Sequence, residues 1–89
     1  MADHPAPESV ETEGEYIHVR YRDPDEFETI RTPEWADEVS DSVSEGSEVR
    51  TGKRADSGDW VVQSVLVDKH VGEAKAREQA DEILAKIED

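Results

Sequence analysis

Eighty-nine residues with 24 Asp plus Glu against 10 Lys plus Arg carry a formal net charge of −14, and like charge crowded onto so small a body repels itself most strongly in dilute salt. The length accommodates one domain, and the absence of cysteine excludes a disulfide framework, a thiolate nucleophile and a thiolate metal site. No stretch approaches the ~18 apolar residues of a membrane span, and Met1-Ala2-Asp3-His4-Pro5 has neither the basic start nor the apolar run of a signal peptide, so the chain reads as cytoplasmic with no membrane partner.

Residues 1–14 combine two prolines with acids and little to bury, and they read as a disordered acidic arm. The folded domain is expected over 15–89. Tyr16–Arg22 alternates, with Ile17, Val19 and Tyr21 on one face and Tyr16, His18, Arg20 and Arg22 on the other, the period of a half-buried strand. Asp23-Pro24 ends it and starts a short helix: Asp23 is a good N-cap, Pro24 suits the first helical position, and Glu26 falls three after the cap. Phe27 and Ile30 would face inward from that helix. A second helix is expected after Thr32-Pro33, with Trp35, Ala36, Val39 and Val43 as its apolar stripe.

A hairpin follows, from Glu48–Arg54 through a turn cluster to Trp60–Val67, which is apolar almost without interruption. Such a strand is central in its sheet or meets a partner subunit on one face, which marks Trp60, Val62 and Leu66 as a candidate core or dimer face. From about Gly72, Ala76, Ala80, Ile83, Leu84 and Ile87 form one helical stripe. The expected fold is α+β, a small two-layer sandwich of a three-stranded antiparallel sheet with helices on one face, in the order β-α-β-β-α. Its two exposed strand edges favour a homodimer.

Hydrophobic residues make up only 34% of the chain, a composition that also fits disorder. Two tryptophans, two tyrosines and the Val-rich segment argue instead for a folded protein with a thin core. At ~1 M salt the Debye length falls to about 3 Å, which hides the carboxylates from one another. Lys is confined to four positions, Asn is missing, and Val and Ala replace larger aliphatics, a bias that resembles the proteins of extreme halophiles. Ile17-His18-Val19-Arg20 through Asp23–Phe27 and Ile30–Ala36, then Glu48–Lys53, then Asp59–Leu66, together resemble small acidic haloarchaeal proteins of unknown function. The likeness spans roughly residues 16 to 68. It implies an archaeal, high-salt setting and a single domain, and it carries no catalytic residue.

No catalytic set and no metal-ligand spacing emerge; the glycines are isolated, and nothing calls for a cofactor. His4, His18 and His70 form no metal-binding spacing. Ser64, the one serine in an apolar strand, reads as a small residue under a helix; Trp35 and Trp60 could floor an apolar pocket, but with so few large residues elsewhere they read as core. The basic residues cluster. His18, Arg20, Arg22, Arg50 and Arg54 form a candidate anion-binding face if the two strands that carry them coincide, through bidentate Arg contacts. The simpler alternative is cross-strand pairing with Glu15, Glu48 and Asp59. Nucleic-acid binding is disfavoured, because the overall field repels phosphate and molar salt removes the counterion-release gain. The chain is therefore expected to act as a non-enzymatic interaction module, as a homodimer or on another protein, with an anion-binding domain or small enzyme as the alternative.

Overall fold

The computed structural model describes residues 6–54 and 58–88. In chain order the elements are β1 (Ser9–Glu13), β2 (Tyr16–Arg20), β3 (Phe27–Arg31), α1 (Glu34–Val43), β4 (Glu48–Arg54), β5 (Trp60–Asp68) and α2 (Glu73–Glu88), with single 3-10 turns at Pro24–Glu26 and Lys69–Val71. The strands form one antiparallel sheet in the order β1-β2-β5-β4-β3. The α+β class agrees with the sequence; the sheet has five strands where three were expected.

Both additional strands are outer ones. β1 lies inside the stretch read as a disordered arm, whose first five residues fall outside the described residues. Val10 alone gives it apolar character and packs against the core, and polar contacts of Thr12 and Glu13 add to the backbone ladder with β2. The loop joining the two strands is Gly14-Glu15, with positive φ (60°) at Gly14 alone, the geometry of a type II′ hairpin turn. β3 occupies the segment expected to be helical. The capping box at Asp23 and Glu26 is present, but it starts only one 3-10 turn. Phe27-Glu28-Thr29-Ile30-Arg31 then runs extended against β4, with a bulge between Phe27 and Thr29. With Thr32-Pro33 following, no further helical turn is available to these residues, because the position before a proline disfavours the α conformation. Pro33 itself takes the N-cap position of α1 without a side-chain cap, one residue later than Thr32.

β5 is central, and it is bulged. Its register on β4 pairs Arg50 with Ser64 and Thr51 with Val62, so Gln63 is the extra residue. The bulge reverses the facing of the strand. Val62, Val65 and Val67 all enter the core, while Ser64 and Leu66 point to the other side of the sheet. Val62 and Leu66 therefore do not share a face, which corrects the expected Trp60, Val62 and Leu66 surface. The extra residue is stapled in place. Gln63 O accepts from the N–H groups of both Tyr21 (2.9 Å) and Arg22 (3.2 Å). Arg22 Nη1 donates to Val62 O (2.6 Å), and Gln63 Nε2 donates to Arg22 O (2.9 Å).

Both helices cover one face. Ile17, Val19 and Tyr21, Val49, and the three inward valines of β5 pack on Ala36 of α1 and on Ala76, Ala80, Ile83 and Leu84 of α2. Small residues at the helix contacts let the two layers approach closely, and each fully buried Val, Ile or Leu contributes about 1.5–3 kcal/mol. Serines complete α1: buried Ser40 donates from Oγ to Asp37 O and to Ser47 O. The Tyr21 hydroxyl donates to Asp81 Oδ1 of α2 at 2.6 Å. Burial first, and then that hydrogen bond, push its pKa well above the usual phenol range.

Candidate functional site

Both helices lie on one face of the sheet, and the basic side chains come together on the other. The ladder aligns Arg20, Ser64 and Arg50 in one row across β2, β5 and β4, and His18, Leu66 and Glu48 in the next. A strand spacing of about 4.8 Å sets the Cα atoms of Arg20 and Arg50 about 10 Å apart, with Ser64 between them. Ser64 and Leu66 are nearly inaccessible on this face. Ser64 is thus not under a helix. Its hydroxyl donates to Gln63 Oε1 at 2.9 Å.

The five candidate residues do not converge on one point. Glu13, at the end of β1, lies 3.7 Å from His18 Nε2 and 3.9 Å from Arg20 Nη2. That carboxylate belongs to the unanticipated strand; the partners expected for the arginines as a group were Glu15, Glu48 and Asp59. Arg22 is committed to the β5 backbone, as described above. Arg54 stands at the far end of β4, opposite Phe27, with its N–H donating to Asp59 O. Arg50 is exposed, and no carboxylate among the described residues pairs with it. The pair with a shared geometry is therefore Arg20 and Arg50.

Toward β3 the same face turns apolar. Ile30 sits opposite Gly52, and the Phe27 ring lies directly on that glycine. A Cβ there would stand 2.4 Å from the ring, so only glycine fits. On the helix side of the same corner, Trp35 and Trp60 are 53% and 42% exposed and do not form the core. Trp60 begins β5 and pairs with Lys53, and its ring is met by the Arg31 guanidinium at 5.7 Å. Arg31, Pro33, Trp35 and Trp60 line an open cavity of about 260 Å³.

A second cavity, of about 500 Å³, lies between the end of α1, the turn after β5 and α2. His70 Nδ1 stands 2.7 Å from Asp68 Oδ1 at its rim. Hydrogen bonds from the His70 backbone N–H and then from its ring hold the Asp68 carboxyl below the usual range. Buried Gln79 Oε1 accepts no hydrogen bond among the described residues. No three His, Asp or Glu side chains among the described residues group as metal ligands, and no described helix is long and apolar enough to cross a membrane. No family model, curated protein or solved structure matches the chain.

Proposed function

We propose that this chain is a small, non-enzymatic interaction module of a high-salt cytoplasm, working as a homodimer or as an accessory to a larger protein. One observation carries the reading: among the described residues both helices lie on one side of the sheet, and its other side joins an Arg20–Arg50 row to an apolar corner of Phe27, Ile30 and Gly52. An uncovered sheet face with apolar side chains beside arginines has the composition of a protein-binding surface. The charge of −14 and the likeness of residues 16 to 68 to small acidic haloarchaeal proteins support the setting. Sedimentation and circular dichroism across a KCl series test it. Folded structure and association should both increase toward roughly 3–4 M KCl, where the Debye length falls below about 3 Å. Equal structure in salt-free water would refute the setting, and a strict monomer that captures no partner would refute the module.

A second reading is favoured by Arg50, which has no acidic partner among the described residues and faces Arg20 across Ser64. Two guanidinium groups on one face can hold an oxyanion, a carboxylate or a phosphate, between them.

A further inference from the structure

The two outer strands differ in a way that selects one for self-association. β1 carries Glu11 and Glu13 with no basic residue, and α2 packs beside it, with Thr12 donating to Glu73. A second copy approaching that edge brings acid against acid. β3 carries one acid, Glu28, and one base, Arg31, and its inner neighbours at the hairpin are Lys53 and Arg54. It is the edge at which a body of net charge −14 repels its own copy least. Among the described residues, the exposed large apolar side chains are Ile30, Trp35 and Trp60. Ile30 is on β3, Trp35 is four residues past its end, and Trp60 stacks with β3's Arg31. Proline is absent from β3, and no other described strand pairs with its outer edge.

Resting on the module reading above, we infer that the partner is a second copy of this chain, added edge to edge along β3 about a two-fold axis perpendicular to the sheet. Such an axis pairs residues of equal facing, and the register that buries exposed apolar surface sets Ile30 against Ile30 of the second copy. Arg31 then faces Thr29, and Glu28 faces Thr32, so no like charges oppose each other. The result is a continuous ten-stranded antiparallel sheet, formed by the β-augmentation that open strand edges favour. Its open face carries two adjoining Phe27–Ile30 corners. Molar salt assists twice, by screening the two acidic bodies and by leaving the apolar contact intact.

Because the chain has no cysteine, one engineered thiol reports the interface cleanly. Opposed residues in an antiparallel pair stand about 4.5–5.5 Å apart at Cα, inside the range a disulfide spans. The experiment oxidises Ile30→Cys and, as the β1-edge control, Glu11→Cys in 3–4 M KCl (roughly the screening range used above), alongside sedimentation of the unmodified chain and of Ile30→Lys. Expected are a disulfide-linked dimer for Ile30→Cys at least tenfold faster than for Glu11→Cys, a dimeric parent chain, and a folded but monomeric Ile30→Lys. A dimeric parent without preferential Ile30→Cys crosslinking overturns the β3 interface while the module reading stands. A monomeric parent overturns self-association itself, and the module must then act on a different protein.

Discussion

The two faces of the sheet are made by the same strands under opposite rules. The covered face is mainly Val and Ile, with Tyr21 and Thr51, and buries those side chains against two helices. The open face mixes His18, Arg20, Glu48 and Arg50 with Leu66, Phe27 and Ile30. Packing decides identity on the first, where a lost methylene leaves a void. On the second, no helix packs among the described residues, so stability depends little on any single residue, and the identities there are open to serve binding.

The sharpest test of that contrast is a matched pair of truncations. Ile83→Ala should cost about 3 kcal/mol, since the helix-covered core has nothing to fill the space. Leu66→Ala, also inaccessible but on the face without helices and flanked in the ladder by His18 and Glu48, should cost about half as much, because flexible side chains can collapse onto the gap. Urea titration in high salt measures both, and equal losses would erase the distinction between the faces. An effect comparable to that of Leu66→Ala is expected at Tyr21, whose hydroxyl links the covered face to α2. Tyr21→Phe should cost about 1.5 kcal/mol at neutral pH through the lost hydrogen bond to Asp81. Folding raises the phenol pKa, so the stability it confers is complete below the unfolded value near 10 and is lost as pH rises past it. The parent chain should therefore lose stability in alkali through this group, and the Phe variant should not. The smallest change is Arg50→Gln, expected within about 0.5 kcal/mol of the parent. Sulfate titration followed by NMR shifts at Ser64 should respond in the parent and not in the variant if the arginine row holds an anion; identical responses would remove that reading.

The covered face was largely legible in the sequence. Alternation at Ile17, Val19 and Tyr21 and the stripe from Ala76 to Ile87 identified a strand and a helix by period alone. Alternation put Arg20 on one strand face and Arg50 on another, and left open whether those faces coincide. The outer strands were hidden for a physical reason: an edge buries little, so Ser9–Glu13 offers one apolar residue and no pattern. Its signal was the turn, Gly14 before Glu15, followed at once by a clear strand. At β3, a correct capping box was extended into a helix although Thr29, Ile30 and the approaching Pro33 favour extended backbone. Continuous apolar sequence in β5 concealed the bulge, since a run with both faces apolar reads the same in either phase. That concealment misplaced Ser64 and grouped Val62 with Leu66. The tryptophans were assigned to the core on size alone, whereas their places at element ends keep them at the rim.

A valine-rich strand flanked by two partners has little to stop it sliding along them, because one valine replaces another at nearly equal cost. The extra residue at Gln63 works as a pawl. Its carbonyl is seized by two successive amides, and the Arg22 guanidinium locks the carbonyl just before it. Any slip of the central ladder would have to lift that catch first, so a sheet assembled from interchangeable side chains still has a single alignment.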